Sequence, residues 1–185
     1  MIADKIYCPR LLIVSGSGKK AGKTTLVSSI IRAIKDDSPI VAIKISPHFH
    51  PVKYEKYLCN EPGKFMIYEE NSFLPENDSS KMKQSGAFRV FYIQVKDTYV
   101  GEAFLKCMDY VENDAPVICE SGSLSRLIAP GLMIFISQNE MEIELPEKYL
   151  NSDMVVIKRD QEHFKSIVNR IYYHSGQWEY QKQEL

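Results

Sequence analysis

The chain has one tryptophan and six arginines in 185 residues, and its four cysteines, Cys8, Cys59, Cys107 and Cys119, never fall as a C-x-x-C pair. Cysteines so scattered lack the spacing of a zinc site or a disulfide scaffold and read as reduced thiols. Neither sign of charge dominates: 23 basic residues stand against 24 acidic ones, which gives no surplus to attract nucleic acid or an anionic membrane. No apolar run approaches the roughly 20 residues that a membrane-spanning helix needs. The first ten residues carry charges and lack the small-residue cleavage pattern of a signal peptide. Repeats and low-complexity linkers are also missing. These absences predict a cytoplasmic protein with one domain over 1–176 and a polar, frayed tail over 177–185.

What is present is concentrated early. Residues 11–34 read LLIVSGSGKKAGKTTLVSSIIRAI, an apolar strand, a glycine-rich turn and an amphipathic helix. Leu26, Val27, Ile30, Ile31 and Ile34 recur at three and four and give that helix one apolar face. Gly22, Lys23, Thr24 and Thr25 end the turn as a phosphate-binding loop does, with Ser17 where the usual G-x-x-x-x-G-K-[ST] pattern has its first glycine. In such a loop backbone N–H groups from Ser17, Gly18, Lys19, Lys20, Ala21 and Gly22 surround a polyphosphate, and the helix dipole adds to the attraction. Lys23 would reach the β and γ phosphates, and the Thr24 hydroxyl would coordinate Mg2+.

Further along, β-branched residues over 39–45 (PIVAIKI) predict a second strand, and strand, helix, strand implies a right-handed parallel crossover. Residues 46–64 contain three prolines without periodicity and predict a long functional loop. Strands are expected over 65–68, 87–95, 116–119, 132–136 and 153–157. Helices are expected over 78–83, 98–113 and 163–173, with Asp78 as a candidate cap for the first. The sum is an α/β chain with a three-layer, doubly wound, mainly parallel sheet.

Ligands of such sheets sit beyond the carboxyl ends of the strands. Glu120 directly follows the apolar run 116–119, where a carboxylate either approaches Mg2+ or orients a water, or faces solvent as an acidic loop residue. Lys44, near the end of the second strand, either meets the γ phosphate or an acidic substrate, or faces outward. His48 and His50 lie in the long loop as a metal pair, proton relay, anion-binding edge or plain surface residues. Lys158 and Asp160 have the K-x-D spacing of a guanine-reading N-K-x-D motif, with Ile157 at the asparagine position. The other reading of Asp160 is the opening of a helix.

These segments resemble the P-loop NTPases of the SIMIBI class. The loop from Gly16 to Thr24 is similar to that of dethiobiotin synthetase. AIKISPHFH (42–50) and DSSKMKQSGA (78–87) resemble the I-K-H-D-H-H and D-S-W-R-H-R-Q-A-G-A segments of the molybdopterin-guanine dinucleotide biosynthesis adaptor family, and ICESG (118–122) stands where both families place V-E-G. The departures are Ser121 between Glu120 and Gly122, and Ser46-Pro47 in place of one histidine. The resemblance implies the P-loop NTPase fold, Mg2+-dependent binding of GTP or ATP, slow hydrolysis and a homodimer. It implies that Thr24 and Glu120 serve the metal, that Lys23, Lys44 and Glu120 act on the phosphates, and that Lys158 with Asp160 holds the base. His48, His50 and Asp78 would then face a protein partner or second small molecule. The alternative is an ATP-dependent kinase or ligase of the dethiobiotin synthetase type with an acidic substrate. A third reading is a P-loop fold used only for protein association.

Overall fold

A computed structural model of the chain describes residues 5–52, 55–72, 77–138, 152–157 and 161–182. Its centre is an eight-stranded, mostly parallel sheet flanked by helices. In chain order the sheet strands are β1 (Ile6–Gly16), β2 (Val41–Ser46), β3 (Glu55–Glu61), β4 (Phe65–Glu70), β5 (Arg89–Val95), β6 (Val117–Glu120), β7 (Ile128–Ser137) and β8 (Met154–Ile157). They lie side by side as β3-β4-β5-β2-β6-β1-β7-β8. The six strands from β5 to β8 in that spatial order run parallel, and β4 is antiparallel to both neighbours.

Alternate residues of the central strands β1, β2, β5 and β6 feed two separate cores. Leu12 and Val14 of β1 pack with Leu26, Val27, Ile30 and Ile31 of α1 (Lys23–Ile34) and with Met82 of α2 (Asp78–Gln84). Leu11 and Ile13 pack with Val100, Ala103, Phe104 and Cys107 of α3 (Val100–Met108) on the other side. This twofold alternation is why the central strands are apolar throughout, as expected for a sheet covered on both faces.

Several expectations need correction. The residues of 55–61 are not loop: they form β3, which pairs with β4 as an antiparallel hairpin at the sheet edge. Residues 47–52 still form irregular chain, in keeping with the prolines at 47 and 51. The helix expected over 98–113 is shorter, a 3-10 turn (Asp97–Tyr99) followed by α3.

The largest difference is at the far end. The helix expected over 163–173 ends early as α4 (Gln161–Val168); its last residues form β9 (Ile171–His174), and the start of the tail expected to fray forms β10 (Gln177–Tyr180), the two pairing as a second hairpin. Gly176, at φ 81°, makes the tight turn, and Trp178 is 1% exposed. Its indole N–H donates to the Arg10 and Val117 carbonyls, at 2.9 and 3.1 Å. Polar composition hid one large apolar anchor. Among the described residues no helix is long and apolar enough to cross a membrane.

Candidate functional site

The turn between β1 and α1 is held open from outside. At Gly16 a Cβ would lie 2.8 Å from the Ile136 carbonyl oxygen, so the close approach of β7 requires glycine. Ser17 N donates to that same carbonyl at 3.0 Å, and the Ser17 hydroxyl accepts from Gln138 N at 3.3 Å. The Gln138 side-chain amide donates to the Lys19 carbonyl at 2.9 Å. The residue that breaks the usual glycine pattern therefore has a structural use: its hydroxyl fastens the loop to the end of β7. Lys20 and Gly22 take left-handed conformations, φ 65° and 103°, which turn the chain into the helix.

Helix α1 begins at Gly22 with no side-chain cap. Its first-turn N–H groups thus lack a side-chain partner from the cap, an arrangement suited to an anion. Lys23 folds its ammonium back to the Gly18 carbonyl at 2.6 Å. Burial lowers its pKa, partly offset by Glu120. An ammonium so desolvated gains from an incoming anion.

Beside the loop, the register places Val14, Glu120, Lys44 and Tyr92 in one row across β1, β6, β2 and β5, all on the α1 side of the sheet. Glu120 is 2% exposed. Its Oε2 accepts a 2.8 Å hydrogen bond from the Thr24 hydroxyl, and its Oε1 takes a very close ion pair from Lys44. Lys44 Nζ also meets Asp78 Oδ2 at 3.1 Å. Burial works against both of those charges, yet the pair outweighs it: Glu120 and Asp78 hold the Lys44 pKa above the ordinary lysine value, and Lys44 holds that of Asp78 below the usual carboxylate range.

Asp78 is not the helix cap. Asn77 caps α2, accepting from Ser80 N at 2.8 Å while Ser80 Oγ accepts from Asn77 N at 3.1 Å, a reciprocal capping box. That leaves the Asp78 carboxylate for Lys44. The cap is itself buttressed by Glu70, fully buried on β4, which accepts from Ser79 Oγ at 2.8 Å and Ser72 N at 2.7 Å. Nothing in the sequence pattern singled out Glu70 or Gln138. Gln138 acts on the Lys19 carbonyl 119 positions away and Glu70 on the Ser79 hydroxyl nine positions on, contacts that no local periodicity reveals.

A cleft of about 1060 Å3 joins these groups, running from Gly18 to Thr25 past Glu120 and Lys44 to His48, His50 and Tyr92. His50 is fixed by two bonds to the buried Gln94, from His50 N at 3.2 Å and to its carbonyl at 2.9 Å, and its Nε2 lies 3.3 Å from the Tyr92 hydroxyl. The structure therefore brings Ser17 to Thr25, Lys44, Asp78, Glu120, His48 and His50 to one region. Lys158 and Asp160 lie outside the described residues. No group of three or more histidine, cysteine, aspartate or glutamate side chains suited to a metal occurs among the described residues.

The chain matches none of the family models, curated proteins or solved structures with which it was compared.

Proposed function

We propose that the chain is a Mg2+-dependent purine nucleoside triphosphate-binding protein of the P-loop NTPase fold, three-layered and doubly wound, with slow hydrolysis of GTP or ATP. One observation carries the reading: the Thr24 hydroxyl at the start of an uncapped helix bonds the buried Glu120 carboxylate at the end of β6, the parallel strand beside β1. A glycine-rich loop, a free helix N-terminus and a buried acid meeting at the carboxyl end of a sheet are the parts of a triphosphate site.

The donor set fits magnesium, since a hydroxyl and a carboxylate are hard oxygen ligands and the remaining positions of such an ion go to phosphate and water. When bound, the ion neutralises charge on the phosphate oxygens. The chain's own groups do the rest. Loop N–H groups and Lys23 hold the phosphates, Thr24 and Glu120 orient toward the cation, and Glu120 is placed to position a water. Lys158 and Asp160 remain candidates for the base. Of the biological roles, an adaptor in molybdopterin cofactor biosynthesis rests on sequence resemblance alone.

The length of the cleft favours a second reading. It continues beyond Lys44 to His50 and Tyr92, past what the phosphates occupy, and leaves space for an acceptor molecule, as in an ATP-dependent kinase or ligase.

A thermal-shift series with ATP, GTP and their diphosphates, each with and without Mg2+, tests the proposal on wild type and Lys23→Ala. A specific ligand at 100 times its Kd adds about 2.7 kcal/mol of stability. Stabilisation by a triphosphate that Lys23→Ala abolishes is the expected result, and no response to any nucleotide overturns the proposal. Faster turnover on adding a metabolite extract selects the kinase or ligase reading.

A further inference from the structure

Both oxygens of Glu120 are engaged from within the chain, Oε2 by the Thr24 hydroxyl and Oε1 by the Lys44 ammonium. A buried carboxylate requires a compensating charge, and Lys44, itself only 16% exposed, supplies it. The ammonium thus sits on the carboxylate that a divalent cation at Thr24 would need. Charge balance points the same way. Lys23, Lys44 and Lys81 stand against Glu120 and Asp78 in this cluster, with Lys81 reaching Asp78 at 3.5 Å, so three ammonium groups meet two carboxylates. A bare dication entering there finds no net negative charge, whereas a triphosphate brings its own.

We propose that Lys44 is the resident counter-ion of the cation site, keeping bare divalent metal out of the empty cleft and giving way only to metal that arrives with a triphosphate. Asp78 completes the arrangement. It already shares the ammonium at 3.1 Å, so the ammonium released by Glu120 stays paired at the cleft wall. The exchange moves one side chain between two carboxylates, and no backbone rearrangement is required. This inference rests on the triphosphate reading for its second half, while its first half concerns metal alone.

The test is a titration of the full chain with Mn2+, without nucleotide, following the free ion by electron paramagnetic resonance. Lys44→Met is expected to bind Mn2+ at least about tenfold more tightly than wild type, a difference of about 1.4 kcal/mol, and Lys44→Met combined with Glu120→Gln to lose that gain. Equal or weaker binding by a folded Lys44→Met overturns the proposal. Because the single variant leaves Glu120 buried without its partner, a second measurement uses the wild type. The 15Nζ resonance of Lys44, assigned by its loss in Lys44→Arg, is expected to stay in place with Mg2+ alone and to move with Mg2+ plus a non-hydrolysable triphosphate. Movement with Mg2+ alone overturns the proposal. If triphosphates change neither this resonance nor the melting temperature, the nucleotide reading falls, and the Mn2+ titration still decides whether Lys44 excludes metal.

Discussion

Thr24 and Glu120 lie 96 positions apart in sequence, and their side chains meet at 2.8 Å. The bond joins the first turn of a helix to the end of a strand, so each side chain is aimed by a rigid element rather than by a loop. It also makes the loop sensitive to the acid. Thr24→Ala leaves one buried carboxylate oxygen without its donor, which costs about 1–3 kcal/mol. The expected outcome is a lower melting temperature together with loss of the extra stabilisation that Mg2+ adds to a triphosphate, while stabilisation by the triphosphate alone persists. Persistence of the Mg2+ increment would count against Thr24 as a ligand.

Gln138 offers a separable effect. Its side chain bonds the Lys19 carbonyl, and its exposed position makes little contribution to the core. Gln138→Ala is expected to leave the unfolding midpoint nearly unchanged and to weaken triphosphate binding several-fold, since a looser loop must be ordered on binding, at a cost near that of one hydrogen bond, about 1 kcal/mol. Calorimetric titration beside a denaturation curve distinguishes this from general destabilisation.

Trp178→Ala removes a fully buried indole and leaves two carbonyls, of Arg10 and Val117, without their donor. Aromatic truncation of this kind costs about 3–5 kcal/mol. The expected signature is a large fall in the urea midpoint with amide protection lost first over β9 and β10. A change within about 0.5 kcal/mol, the scale of ordinary surface substitutions, would contradict the buried placement.

The Lys44–Asp78 pair sets a pH dependence with a definite sign. The folded-state pKa of Asp78 is lowered, so its contribution is present above its unfolded value and is lost as pH falls through the lower folded value. That of Lys44 is raised, so its contribution is complete below the unfolded value and disappears as pH rises through the higher folded value. Stability from this pair should therefore form a plateau through neutrality with losses in acid and in strong alkali. Asp78→Asn is expected to flatten the acid limb relative to wild type in urea midpoints measured across that range, and an unchanged acid limb would refute the assignment.

Much of this was legible in the sequence because its signals are local. The run LLIV, the turn and the 3–4 spacing of Leu26 to Ile34 announce β1, the loop and α1 within one stretch, and the abrupt stop of an apolar run marks Glu120 at a strand end. Lys44 was ambiguous for a physical reason: period two puts a side chain on one of two faces, and only the pairing of β2 with β6 decides which. The same limit hid Ser17, whose hydroxyl is explained by Gln138, and β3, whose strand character depends on β4 beside it. Around Gly176 a short hairpin mimicked a frayed end, since polar residues outnumber the single indole that matters.

That indole has a temporal implication. It donates to the Arg10 carbonyl across a separation of 168 residues, at the strand leading directly into the glycine-rich loop. During synthesis the ribosome completes β1 long before Trp178 emerges, and until then the Arg10 carbonyl is without its indole donor. Full sealing of the loop's supporting strand is thus one of the closing events of biogenesis, and a chain interrupted ahead of the second hairpin would carry every loop residue yet lack the bolt behind them.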